Sequence, residues 1–297
     1  MSVFVMSAPS THQELSAQEI THYENFPVAS WLCPPHLRTP IAAIYWFART
    51  ADDLADEGDA SPQQRLDDLA AFRKDLFAAA KVESTPSSIS TRWSQVFTPL
   101  AAAIAEFSLP IKHLDDLLSA FEQDIRKTRD SQGYATEAEL HDYCARSANP
   151  VGRLLLHLYG ITDEVALGYS DNICTALQLI NFWQDISQDI PRGRFYLTDA
   201  ACAQFNVSRV DLNNLKQTKN TTDLIAAQAV NTLAMMQKGS KLVHLIPGRA
   251  GWELRFVVQG GLRILDKIKS LDYAMLEKRP KLSKLDYVVI AWRALWM

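Results

Sequence analysis

Tyr45, Arg49, Asp52 and Asp56 stand four, three and four residues apart in the stretch AIYWFARTADDLADE at 43–57. On an α-helix that spacing places all four side chains on one continuous face. Asp53 and Glu57 lie beside the face, and Ile41, Ile44, Trp46, Phe47, Ala48, Leu54 and Ala55 surround it with apolar side chains. A second stretch repeats the arrangement. In LQLINFWQDISQDIPRGRFYL at 177–197, Gln178, Asn181, Asp185 and Asp189 are spaced three, four and four apart, among Leu177, Leu179, Ile180, Phe182, Trp183 and Ile186. Pro191 ends that helix, and Arg192 and Arg194 follow at once.

Carboxylates four residues apart cost a helix a few tenths of a kcal/mol even when solvated. Burying them costs several times more unless they are paired or bound to metal. Two apolar helices, each with one acidic stripe, are therefore expected to face a shared, wet cavity that supplies cations. Hard divalent ions suit oxygen ligands, and Mg²⁺ typically takes one or two carboxylates plus phosphate oxygens from a substrate. The chemistry this implies is ionisation of an allylic or similar diphosphate, with several Mg²⁺ ions neutralising the leaving group. A solvated acidic face is the ordinary explanation of one such stripe, but the pair with Tyr, Arg, Gln and Asn in register argues against it. A di-iron bundle needs two ExxH motifs, and only Glu19/His22 has that spacing.

Helix signals dominate the remainder. Capping boxes or N-terminal proline patterns stand at Ser16/Glu19, Ser61/Pro62/Gln64 and Thr136/Glu139. Periodic apolar stretches run over 37–56, 63–80, 94–106, 111–129, 151–158, 172–189, 221–245 and 252–276. Loops are expected at 83–91, 130–135 and 215–222. Asn149–Pro150 and Gly152 suggest an interrupted helix. The expectation is an all-α chain with a tail at 1–14 and a single domain of about ten helices over 15–297. The net charge of −4 and the lack of a Lys/Arg stripe give no reason to expect nucleic acid. Four widely spaced cysteines, with no CxxC, point to thiols in a reducing, cytoplasmic compartment. No apolar run approaches the roughly 20 residues of a membrane span. Tyr287–Met297, Trp-rich and interrupted by Arg293, reads as a helix docked on the core, with a peripheral membrane contact as the competing reading.

Four blocks resemble the squalene/phytoene synthase family: HYENFPVAS at 22–30, the stretches at 43–57 and 177–197, and YCARSANPVGRLLL at 143–156. The resemblance covers roughly 20–280 and implies an isoprenoid (terpenoid) synthase fold around a central apolar cavity for prenyl chains. It assigns Asp52, Asp56, Asp185 and Asp189 to Mg²⁺ and diphosphate, and Arg49 to diphosphate. Tyr45, Gln178 and Asn181 match polar residues lining the reaction centre, while Arg194 and Tyr196 match the pair closing the diphosphate site. Tyr143, Val151 and Gly152 match a middle helix whose break lets prenyl chains approach the backbone. Trp46 and Trp183 lie off the stripes and read as core, Asp115/Asp116 as a solvated pair and Asp124 as structural.

One departure is informative. Family members that join two prenyl diphosphates usually carry His-Ser-x-Ser-Phe near the first helix, and here His22-Tyr23-Glu24-Asn25-Phe26 stands in its place. With SANPVGR at 147–153 this looks like the bacterial hopanoid-cluster branch, whose members convert presqualene diphosphate, which carries one diphosphate, to hydroxysqualene. His22, Tyr23, Asn25 and Phe26 are then expected at the substrate. The alternative is that Tyr23 and Asn25 are neutral changes in a squalene, presqualene diphosphate or phytoene synthase. A non-catalytic assembly protein of the same fold is the reading from another class, opposed by the intact aspartates and arginines. Neither a nicotinamide nor a flavin cofactor is expected, since no GxGxxG motif follows a strand.

Overall fold

The computed structural model describes residues 33–80, 89–246 and 248–297. The Ser16/Glu19 box, the segment His22–Phe26 and residues 83–88 of the 83–91 loop lie outside the described residues. Among those described there is no strand. Ten helices of ten residues or more appear, as the periodicity predicts: α1 (Pro35–Asp56), α2 (Pro62–Ala80), α3 (Ser94–Phe107), α4 (Ile111–Arg129), α5 (Glu137–Ser147), α6 (Asn149–Leu158), α7 (Glu164–Asp189), α10 (Lys219–Gly239), α11 (Gly248–Ser270) and α12 (Lys284–Leu295). Two short helices, α8 (Asp199–Gln204) and α9 (Arg209–Asn213), were not foreseen. Each begins at a Ser or Thr N-cap, Thr198 and Ser208, but is too brief for an apolar period to register.

The contacts cluster into two compact units, 1–126 with 153–162 and 127–152 with 163–297. In the first, α1, α2 and α3 pack through an aromatic core. Phe72 lies 5.2 Å from Phe47, 4.6 Å from Phe97 and 5.1 Å from Trp93 between ring centroids. Arg73 of α2 then ties α4, donating to Asp115 at 2.6 Å and Ser119 at 2.9 Å and pairing with Glu122. The planar guanidinium fork makes one residue hold three partners. Asp115 is thus a structural ion pair, and Asp116 pairs with Lys112 at 2.5 Å.

In the second unit α7 is the central helix, lying against α10, α11 and α5. It starts at Glu164, eight residues before the expected 172. Asp163 is its N-cap, accepting from Ala166 N at 2.8 Å, while Gly168 and polar neighbours dilute the apolar period there. The expected loop at 215–222 is likewise corrected: α10 starts at Lys219, because Thr218 and Thr221 form a reciprocal cap at 3.2 and 2.7 Å without the usual Glu. α11 stops at Ser270, not 276, where Asp272 and Tyr273 take positive φ of 52° and 57°. Thr136 caps α5, but Glu139 reaches back to Ala135 N at 2.7 Å and to Lys127 at 2.8 Å. The interruption foreseen near Pro150 is present, as α5 and α6 are separated by Ala148.

Close approach to α7 depends on small residues. A Cβ on Gly239 would meet Ile173 N and Tyr169 O, both backbone, at 2.8 Å. One on Gly261 would meet side-chain ends alone, those of Leu177 and Met236 at 2.9 Å and of Ile180 at 3.2 Å. Backbone cannot give way, whereas side-chain ends can. Gly239→Ala is therefore expected to cost about 1–3 kcal/mol and lower the melting temperature by several degrees. Gly261→Ala should be near neutral, because the roughly 1 kcal/mol gain in helix propensity offsets the mild crowding. Thermal melts of the two variants check this ordering.

Candidate active site

The first acidic stripe forms as expected on α1, with Asp52 buried and Tyr45, Arg49 and Asp56 half-buried. Pro35 stands at the helix start, and Leu37, Ile41, Ile44 and Phe47 of the same helix are buried and seat it in the core. Arg49 is drawn to the acids beside the stripe: its Nη2 lies 2.7 Å from Asp53 and 2.9 Å from Glu57, while Nη1 is 3.8 Å from Asp52 Oδ2. Asp52 Oδ1 is buried with no hydrogen-bond partner among the described residues. Burial pushes the Asp52 carboxyl up to about 7, helped by the neighbouring Asp56. Asp53 rises to about 6, chiefly through burial, against the opposing pull of Arg49. Burial also raises the Tyr45 hydroxyl.

The second stripe forms on α7, where Gln178, Asp185 and Asp189 are buried and Asn181 is half-buried. Trp183, off the stripe, is core: its indole N–H donates to Thr232 at 2.8 Å. After Asp189 a 3₁₀ turn, Ile190–Arg192, leads into Gly193 at φ 78°, and Arg194 N donates back to Asp189 O at 3.0 Å. A left-handed glycine at this turn directs Arg194 back beside the carboxylate. Asp189, Arg194, Phe182, Ile186 and Tyr196 line one narrow crevice. Burial lifts the Asp189 carboxyl to about 6, opposed by Arg194 and reinforced by Asp185.

The aromatic residues of this unit pack together. Tyr196 stacks on Phe182 at 3.6 Å and 6°, with Tyr134 6.0 Å away, and Tyr143 contacts both Tyr134 and Phe182. Tyr143 is fully buried in this cluster. Val151 is half-buried on α6. The Cβ direction of Gly152 is filled by Ser170 Oγ at 2.4 Å and Cys174 Sγ at 2.7 Å, so close packing against α7 accounts for that glycine. Nearby, Thr175 donates to the Asn149 side chain at 2.9 Å and anchors the start of α6.

One residue the sequence reading missed stands at the second stripe. Arg279, in the segment between α11 and α12, binds Asp185 in a fork, Nε to Oδ1 at 2.6 Å and Nη2 to Oδ2 at 3.1 Å. It lies 94 residues from its partner, in no helix and in no motif, so no local spacing marks it.

The carboxylates fit a hard cation. Asp52 is a buried acid with one oxygen bare of hydrogen bonds among the described residues and a proton affinity raised by burial, the condition a bound cation relieves. Among the described residues no three Asp, Glu, His or Cys side chains converge as a cage. Mg²⁺ ordinarily dispenses with one, taking water and phosphate oxygens instead. A carboxyl whose pKa rises on folding, as those of Asp52 and Asp189 do from 3.8, binds protons more tightly in the folded chain. The metal-free protein therefore loses stability as pH climbs from about 4 toward 7. Metal competes with the same protons, so the Mg²⁺-induced rise in melting temperature should be larger at about pH 8 than at about pH 5.5. Differential scanning fluorimetry at the two pH values checks it.

The squalene/phytoene synthase family model matches residues 21–286. The chain belongs to the squalene/phytoene synthase family. A hydroxysqualene synthase from Rhodopseudomonas palustris is 31% identical over 288 residues, covering 95% of this chain and 91% of that one. A hydroxysqualene synthase from Zymomonas mobilis is 33% identical over 218 residues, covering 73% and 69%. Among solved structures, the squalene synthase HpnC from Alicyclobacillus acidocaldarius is similar with a TM-score of 0.75 at 34% identity, over 85% of this chain and 90% of that one. A dehydrosqualene synthase bound to a ligand has the same TM-score of 0.75 at 20% identity, a likeness of fold alone. The all-α isoprenoid synthase fold and the membership in a family of prenyl diphosphate enzymes, both expected from the motifs, are thereby established.

Proposed function

We propose that this chain is a Mg²⁺-dependent hydroxysqualene synthase that converts presqualene diphosphate and water to hydroxysqualene and diphosphate. The observation that carries the diphosphate part is Asp52, a buried carboxylate with a bare oxygen and a pKa pushed to about 7, in a helix stripe of the family's acidic motif. Asp52 and Asp56 on α1, and Asp185 and Asp189 on α7, are the carboxylates that would each bind Mg²⁺. Bound Mg²⁺ would neutralise the departing diphosphate and so ease ionisation of the carbon–oxygen bond. Arg49 and Arg194 supply further positive charge for the diphosphate oxygens, and the guanidinium fork suits them. Apolar and aromatic side chains, Phe182 and Tyr196 among them, exclude water from most of the cationic chain. One water then adds to the cation, and its second proton leaves to solvent.

Support for the single-diphosphate substrate comes from the sequence His22-Tyr23-Glu24-Asn25-Phe26, and from relatives named hydroxysqualene synthase at 30–33% identity. The second reading, condensation of two prenyl diphosphates, is favoured by the HpnC relative's description as a squalene synthase. Incubation with Mg²⁺ and either presqualene or farnesyl diphosphate, without NADPH, separates them. The proposal expects a C30 alcohol from the first and no turnover of the second. Turnover of farnesyl diphosphate with none of presqualene diphosphate would overturn it.

A further inference from the structure

The geometry points to α12 as an interfacial helix that docks the protein on a lipid bilayer rich in anionic headgroups. Its inner face carries Asp286, Ile290 and Ala294, four residues apart and buried. Asp286 fixes the helix's rotation. It is paired with Arg263 and Lys267 of α11 at 2.7 and 2.8 Å, and it accepts from Ser283 N and Oγ at 2.6 and 2.7 Å. Lys267 and the Ser283 bonds hold its carboxyl well below the usual carboxylate range.

With that face pinned, Leu285, Val288, Trp292, Leu295 and Trp296 turn outward. They are spaced three, four, three and one apart, so they form one stripe along the helix, and each is between 58% and 77% exposed. The rings of Trp292 and Trp296 meet edge to face at 5.8 Å. A monomeric surface seldom leaves so continuous an apolar stripe in water.

The charges at its edges select the partner. Lys278, Lys281 and Lys284, in the chain leading into α12 and at its start, and Arg293 within it are exposed, and Glu277 is the only exposed acidic side chain in 277–297. Arg293 is paired with Asp266 at 2.6 Å, leaving the lysines to set the field. Apolar side chains with two tryptophans, bordered by long cationic side chains, match the boundary between acyl chains and phosphate headgroups. A second copy of the chain would bring the same lysines against themselves. No helix among the described residues is long and apolar enough to cross a membrane, so the contact is one of lying on the surface. This inference stands on the surface alone and does not need the proposed reaction.

The test is co-sedimentation of the full chain with vesicles of phosphatidylcholine alone or mixed with phosphatidylglycerol. Binding to the anionic vesicles is expected, falling with added salt. Trp292→Ser/Trp296→Ser should weaken it at least about tenfold with an unchanged melting temperature, since both side chains are exposed. Lys281→Glu/Lys284→Glu should abolish the preference for anionic vesicles. Absence of vesicle binding overturns the inference, as does equal binding by the tryptophan variant. Light scattering that shows a dimer, dissociated by the tryptophan substitutions and indifferent to vesicles, also overturns it and assigns the stripe to a second copy.

Discussion

Asp52→Asn is expected to abolish turnover while leaving the metal-free protein as stable as before, or more so at about pH 8. Loss of one metal-binding carboxylate removes several kcal/mol of leaving-group stabilisation, a fall of about 10³-fold or more in kcat. The stability half of the prediction follows from burial. Above its raised pKa the folded chain must hold Asp52 charged, which burial penalises, and the neutral amide of the same shape lifts that penalty. Asp189→Asn should behave alike, since its carboxyl is also raised by burial. A residue kept for the fold would show the reverse, a lower melting temperature with activity partly retained. Steady-state rates and thermal melts of the same preparations distinguish the two.

Arg279→Ala is expected to destabilise the metal-free protein and to enlarge its response to Mg²⁺. Asp185 is buried and both its oxygens are held by this one guanidinium. Removing a partner from a buried pair typically costs 3–5 kcal/mol. Arg279 is itself exposed, with 37% of its side chain accessible, so solvent screening reduces the expected loss to about 1–3 kcal/mol. A divalent cation at Asp185 replaces the lost charge, so added Mg²⁺ should restore more stability to the variant than it gives the parent. Arg279→Lys keeps the charge but not the fork and should fall between them. A variant with unchanged melting temperature and unchanged Mg²⁺ response would show that the pair is incidental.

Both stripes were legible because they need only helical spacing, which α1 and α7 deliver. Burial was legible in part: apolar neighbours pointed to it, and Asp52, Gln178, Asp185 and Asp189 are buried, whereas Tyr45, Arg49, Asp56 and Asn181 are half-buried. What sequence concealed was long-range pairing. Arg279 reaches Asp185 across 94 positions, and Arg49 turns toward Asp53 and Glu57, beside the stripe rather than on it. Helix boundaries failed where local hydrogen bonding competed with periodicity: the Asp163 cap extends α7 backward, and the Thr218/Thr221 cap turns an expected loop into the start of α10. The last segment was legible in half. It docks through Asp286, Ile290 and Ala294 as expected, yet it leaves its tryptophans outside.

The most direct measurement of the central claim is product analysis after turnover of presqualene diphosphate with Mg²⁺ in ¹⁸O-labelled water, without a reductant. Ionisation followed by water capture breaks the carbon–oxygen bond and puts solvent oxygen on carbon. The expected product is hydroxysqualene carrying one ¹⁸O, with one diphosphate released for each molecule formed. An alcohol that retains the substrate's own oxygen, or presqualene diphosphate left intact while farnesyl diphosphate is consumed, would contradict the account.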